Sequence, residues 1–141
     1  MAFYGCTKLK SVTFPNATMV PFGLFRESGL ESFNGPNVEM LGSYVFLNCT
    51  ALTNLYLPKV RDIGAEAFRG CTTLVEVSLP SIEHFGANPF PQCTSLMSIE
   101  YSGDCPTIDL GVAGYALTSD TIRHTTNYVN NSIATGWGKE F

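Results

Sequence analysis

The sequence is poor in charge, because only 14% of its 141 residues are Asp, Glu, Lys or Arg. Eight Lys and Arg residues against twelve acidic ones leave no basic field that would hold a phosphate backbone, so we expect no nucleic-acid binding. No apolar stretch approaches the roughly 18 residues of a membrane-spanning helix, so we expect no membrane insertion. The first residues also lack the basic start and apolar core of a secretion signal. With 45% hydrophobic residues, the composition indicates one folded, mildly acidic unit.

The sequence contains an internal repeat of about 22 residues. Phenylalanines recur at intervals of 22, 21, 22 and 22 residues, at Phe3, Phe25, Phe46, Phe68 and Phe90. Leucines and prolines keep the same interval, at Leu9, Leu30, Leu52, Leu74 and Leu96 and at Pro15, Pro36, Pro58 and Pro80. A unit of this length is too short to bury a core of its own, so successive units must stack and share one interior.

The pattern within one unit predicts a short strand. Apolar and polar residues alternate from Leu74 to Leu79, and Pro80 then ends the strand because proline cannot donate to a ladder. Strands one unit apart are expected to stack in parallel about 4.8 Å from each other. Residues 82–90 are predicted to form a short extended or 3₁₀ stretch on the opposite wall. The predicted fold class is therefore a mainly β repeat solenoid.

The unit Ala67-Phe68-x-x-Cys71-x-x-Leu74-x-x-Val77-x-Leu79-Pro80 resembles the BspA-type, or Treponema pallidum type, leucine-rich repeat. The resemblance covers residues 2 to about 101. It implies a right-handed leucine-rich-repeat solenoid of about five 22-residue units in residues 1–101. It also implies a surface-exposed bacterial, protist or phage-associated protein that binds host proteins, matrix or other cells.

The chain departs from this pattern in its second unit and at its ends. The second unit is one residue short and has Ser28 and Gly35 where Cys and Leu are expected, which predicts a local distortion. The chain opens inside a unit without an N-terminal cap, so we expect a piece of a longer protein or self-association through the first unit. Residues 102–141 are predicted to hold a degenerate sixth unit and a C-terminal cap, with Cys105, Ile108 and Val112 in the former and Tyr128, Ile133, Trp137 and Phe141 in the latter.

Four of the five cysteines fall in one column, at Cys6, Cys49, Cys71 and Cys93. A metal site or a disulfide is one interpretation, and a ladder of buried thiols that fill the corner after each phenylalanine is the other. Neighbouring Cβ vectors in such a stack are parallel, which suits a disulfide poorly, and no Cys or His lies at zinc-ligand spacing. We therefore predict a structural ladder and no metal or cofactor. Cys105, outside the column, is the candidate for a free reactive thiol.

Titratable residues show no pattern of a catalytic site. His84 lies one unit above Asp62, but the sequence delivers no Ser or Cys nucleophile to this pair, so a hydrogen-bonded surface pair is the prediction. Arg61 lies between Glu39 and Glu83 in a neighbouring column, which predicts a solvated charge ladder. We therefore expect no enzymatic activity.

The outward positions of the strands form a polar face with little charge. The two rows read Ser11, Ser32, Asn54, Glu76, Ser98 and Thr13, Asn34, Tyr56, Ser78, Glu100. One aromatic among amides and hydroxyls suits the binding of a protein or a glycan, although Ser, Thr and Asn also suit any soluble strand face. The candidate binding residues are Tyr56, Asn54, Asn34, Glu76 and Ser78.

Two functions fit these observations. The first is a non-enzymatic interaction or adhesion module that binds a protein or glycan at a cell surface, outside the cell and as part of a longer protein. The second is a structural component, either a rigid spacer of a larger surface protein or a part of a phage or prophage tail.

Overall fold

Each repeat contributes one three-residue strand and one two-residue strand to a parallel β-solenoid. The computed structural model of the chain describes residues 2–101 and 106–108. Its strands are β1 (Ser11–Thr13), β2 (Met19–Val20), β3 (Ser32–Asn34), β4 (Met40–Leu41), β5 (Asn54–Tyr56), β6 (Asp62–Ile63), β7 (Glu76–Ser78), β8 (His84–Phe85), β9 (Ser98–Glu100) and β10 (Thr107–Ile108). Among the described residues, no helix has the length and apolar character of a membrane span.

The strands form two walls of the solenoid. The front wall holds the three-residue strands, in a two-stranded sheet β1-β3 and a three-stranded sheet β5-β7-β9. The second wall is one five-stranded sheet of the two-residue strands, in the order β10-β8-β6-β4-β2. All pairs are parallel and join residues one repeat apart, as Val77 with Ile99 and Ile63 with Phe85. The predicted parallel stacking is confirmed. Of residues 82–90, predicted to be extended or 3₁₀ on the opposite wall, His84–Phe85 forms β8 there, whereas the residues around Phe90 form turns.

The third wall consists of the turns around the phenylalanine column. In repeats two to five, the residues two before and two after each phenylalanine have positive φ, as Tyr44 (57°) and Asn48 (56°) do around Phe46. Most of these residues carry side chains, for which the left-handed region costs roughly 1–2 kcal/mol. The same geometry recurs in every one of these repeats, so the contacts between repeats must compensate for this cost.

The backbone hydrogen bonds that the residues two before, at and two after each phenylalanine make to another repeat run in one direction, toward the C-terminal neighbour. The amides of Tyr44, Phe46 and Asn48 donate to the carbonyls of residues 65, 67 and 69 in the next repeat, at 2.7–3.1 Å. The amides of residues 66, 68 and 70 donate in the same way to residues 87, 89 and 91. The intervening amides close turns within their own repeat, as Leu47 does to the carbonyl of Tyr44. Every second amide of this wall therefore points toward the C-terminal neighbour.

Stacked phenylalanines run through the core along the third wall. Ring centroids are 5.7 Å apart for Phe25 and Phe46, 5.5 Å for Phe46 and Phe68, and 4.9 Å for Phe68 and Phe90, with planes within 16° of parallel. These four side chains are fully buried, whereas Phe3 is half-buried and stacks on Phe25 at 5.5 Å. The phenylalanine rings therefore form one continuous stack inside the described repeats.

The front wall is interrupted between β3 and β5. The second repeat has four residues between Phe25 and Leu30, where the next has five between Phe46 and Leu52. The shorter corner precedes β3, and in the described residues β3 pairs only with β1. The predicted distortion thus takes the form of a break, so the polar rows that the sequence suggested are not one continuous sheet.

Phe33 fills the space left by Gly35 in the same repeat. A Cβ at residue 35 would lie 2.8 Å from Cε1 of Phe33 and 2.7 Å from Cγ2 of Val38. The Phe33 ring is 6% exposed and packs at 5.5 Å on Phe46 and 5.6 Å on Phe25. A large residue on the strand therefore compensates for the missing leucine after it.

The predicted cap lies outside the described residues. Of the degenerate sixth unit, Thr107–Ile108 forms β10 and extends the second wall beyond β8. Cys105, Val112, Tyr128, Ile133, Trp137 and Phe141 are outside the described residues.

Candidate binding surface

An open depression of about 500 Å³ lies on the three-stranded part of the front wall. Its lining residues come from β5, β7 and β9 and are Asn54, Leu55, Tyr56, Glu76, Val77, Ser78, Ser98 and Glu100. Alternation along each strand points Leu55 and Val77 into the core and their neighbours outward, because successive side chains of a strand lie on opposite faces. The outward side chains are thus set by the same pattern that builds the core.

Parallel register places these outward side chains in two rows. One row runs Tyr56, Ser78, Glu100 and the other runs Asn54, Glu76, Ser98. Ser78 and Ser98 are half-buried, whereas Tyr56 is 64% exposed. Ser78 lies between Tyr56 and Glu100, and Ser98 lies beside Glu76, so these two small side chains form the low floor of the depression.

The structure brings together four of the five residues predicted for binding. Asn54, Tyr56, Glu76 and Ser78 all line the depression, while the exposed Asn34 lies on β3, across the break in the front wall. Asn34 belongs to the same sequence row as Tyr56 but to a different sheet, and the repeat that contains Asn34 is the one with the short corner.

Two outward-facing lining residues were absent from the predicted set of binding residues. Ser98 and Glu100 complete the depression from β9. Ser98 follows Glu76 by one repeat and Glu100 follows Ser78, so the periodicity had already placed both in the polar rows, although they were not among the candidate binding residues.

The second wall carries a smaller depression of about 350 Å³. Its lining residues are Thr18, Met19, Glu39, Met40, Arg61, Asp62 and Glu83, and the two methionines are about half-exposed, at 53% and 46%. Nη2 of Arg61 lies 2.6 Å from a carboxylate oxygen of Glu83. This hydrogen bond and the charge of Glu83 raise the pKa of Arg61. The predicted charge ladder is confirmed, and the exposed methionines beside it were not foreseen as a surface.

His84 makes a hydrogen bond to the hydroxyl of Thr107, with 2.8 Å between Nδ1 and Oγ1. Its backbone pairs with that of Asp62, as the repeat spacing predicted. In the part of the chain that the structure describes, no three His, Cys, Asp or Glu side chains converge as metal ligands would.

The cysteine column is a ladder of thiols that tie neighbouring repeats together. Cys49, Cys71 and Cys93 are buried, and each Sγ donates to the carbonyl of the phenylalanine in the preceding repeat, at 3.0–3.1 Å. Burial raises the pKa of Cys71 well above its ordinary value and that of Cys93 to about 12. Such thiols remain protonated and are poor nucleophiles. Cys6 is also a free thiol but is only half-buried.

The family comparison agrees with this architecture. Residues 1–97 and 39–133 match a family described as the BspA type leucine rich repeat region (6 copies). The chain is also similar to the crystal structure of a leucine rich cell surface protein from Faecalibacterium prausnitzii A2-165, at 24% identity and a TM-score of 0.49. That similarity covers 67% of this chain but only 32% of the solved one, so the chain spans about a third of that protein's length. The search of curated protein sequences found no match to the present chain. From the family match, the chain belongs to the BspA-type leucine-rich repeat family.

Proposed function

We propose that the chain is a non-enzymatic interaction module that binds a protein or glycan ligand at a cell surface through the depression on the front wall. The observation that carries this proposal is the exposed ring of Tyr56 beside a recess floored by serines. Aromatic rings with a polar end are favoured in binding surfaces because they supply contact area together with a hydrogen-bonding group. The surface location rests on the usual setting of the family.

A binding screen followed by paired variants tests the proposal. The labelled full chain is applied to an array of neutral and acidic glycans and to immobilised extracellular-matrix proteins. Each ligand found is then measured against a front variant, N54A/Y56A/E76A, and against a second-wall variant, M19S/M40S, which changes exposed side chains elsewhere. All the substituted positions are exposed, so unfolding midpoints should remain close to that of the wild type.

We expect the front variant to lose at least about tenfold in affinity, since it removes the aromatic contact and two polar groups. The second-wall variant should bind as the wild type does. Unchanged binding by the front variant, with loss in the second-wall variant, would move the site to the methionine surface. Antibody labelling of intact against permeabilised source cells tests the surface location, and labelling only after permeabilisation would refute it.

A further inference from the structure

The two carboxylates of the front depression lack a cationic neighbour among the described residues. Glu27, Glu31, Glu66 and Glu83 each form an ion pair with an arginine or lysine, and Glu39 and Asp62 lie within electrostatic reach of Arg61. Glu76 and Glu100 are the remaining acidic residues of the described part of the chain, and both line the depression. The local charge of the depression is therefore negative, with no described cation in its lining to neutralise it.

The arrangement of side chains leaves space for a single cationic head group. Ser78 pairs with Tyr56 on one side and with Glu100 on the other, and Glu76 lies two residues before Ser78 on the same strand and the same face. Strands in a sheet are about 4.8 Å apart, so the backbones at Tyr56 and Glu100 are separated by about 10 Å above the small serine. A tyrosine ring and two carboxylates thus border a recess that is wide enough for an ammonium or guanidinium group.

The ring of Tyr56 also attracts a cation, as the two carboxylates do. The face of a tyrosine ring attracts a cation within about 6 Å of its centroid. The Tyr56 side chain is 64% exposed, so its ring is accessible to a ligand that lies over the depression. The ring and the carboxylates therefore favour the same ligand chemistry, whereas a neutral sugar would leave both carboxylates without a counter-charge and a sialylated one would be repelled.

We infer that the front depression binds a lysine or arginine side chain of a partner protein. This inference rests on the proposed function and narrows it from a protein or glycan to a protein with a basic segment. The cation enters above Ser78, between the ring of Tyr56 and the carboxylates of Glu76 and Glu100. Binding of this kind weakens as salt screens the charges.

The test uses a labelled hexalysine peptide with blocked ends and the full chain, with affinity measured by fluorescence anisotropy at low and at physiological salt. E76Q and E100Q each remove one charge from the depression, and the matched control E39Q removes one charge from the second wall. We expect a loss of about fivefold or more for each front variant, about threefold for Y56A, and less than about twofold for E39Q. Chitohexaose serves as the neutral comparison probe.

Three results would overturn the inference. Equal losses for E39Q and E76Q would mean that the peptide responds only to net charge. Absence of hexalysine binding at low salt would remove the cation site. Binding of chitohexaose that Y56A abolishes, with hexalysine unable to displace it, would replace the cation by a sugar and leave the proposed binding function standing. If, by contrast, N54A/Y56A/E76A binds every ligand of the screen as the wild type does, the proposed function itself fails.

Discussion

A smaller side chain at Phe33 and a larger one at Gly35, introduced singly and together, test how the second repeat maintains its core. The F33L substitution removes a ring that packs on Phe14, Phe25 and Phe46 with centroid distances of 5.5–5.8 Å. We expect it to lower the free energy of unfolding by about 2 kcal/mol, from the lost aromatic contacts and the space left behind. G35L places a side chain into atoms that lie 2.7–2.8 Å from its Cβ position, and we expect about 3 kcal/mol of destabilisation from overpacking.

The double variant F33L/G35L should lose less unfolding free energy than the two single variants lose together. Replacing the ring by leucine opens the space that the new leucine needs, and φ at residue 35 is not in the left-handed region, so the backbone accepts a side chain. We expect a loss of about 3 kcal/mol for the pair, where additivity would give about 5, so the coupling energy is about 2 kcal/mol.

Urea denaturation of the wild type and the three variants, followed by far-ultraviolet circular dichroism, measures this coupling. The slope of the unfolding free energy against urea concentration should be the same in all four proteins, since the surface exposed on unfolding is nearly unchanged. Additive losses within about 0.5 kcal/mol would refute the argument that Phe33 occupies the space of residue 35.

Three further predictions concern the columns of the repeat. F68A removes a buried ring stacked between its neighbours and should cost about 3–5 kcal/mol in urea denaturation; a loss below about 1 kcal/mol would contradict the core role of the column. G64A places a Cβ 2.3 Å from the backbone nitrogen of Ser43, so the melting temperature should fall by several degrees, and an unchanged value would mean that the repeats separate easily. The folded-state pKa of Cys93, about 12, lies above the ordinary 9.0, so the folded state retains a proton that the unfolded state loses. Stability should therefore fall as pH rises from about 9 toward 12, and it should fall less steeply in C93A; equal slopes would refute burial of the thiol as the cause.

The sequence predicts the front and second walls because their pattern is local. Alternation in each repeat decides which side chains enter the core, and the interval of the phenylalanines decides which residues pair. Tyr56 and Ser78 become neighbours for this reason alone, and the depression is to that extent predictable.

The third wall was not predictable in the same way. Tyr44, Glu66 and Gln92 adopt left-handed backbone conformations that their residue types do not favour, whereas Asn48 and Asn88 are of a type that enters this region more readily. The hydrogen bonds to the next repeat impose these conformations, so the cause lies in the stacking and not in the residues themselves. The separation of Asn34 from Tyr56 has a similar origin, since one residue fewer in a corner predicts a distortion but does not say which wall divides.

The one-way hydrogen bonds of the third wall give the solenoid an electrical polarity. Peptide dipoles of about 3.5 D add when they are aligned, whereas those of an ordinary sheet largely cancel. Here the donors of residues 44, 46 and 48 face the C-terminal neighbour, so the positive pole lies toward the C-terminal side, opposite to the sense of an α-helix. Two such stacks approaching with like ends would oppose carbonyl to carbonyl or amide to amide. The alignment of these dipoles therefore favours head-to-tail over like-end contact between repeats along the axis.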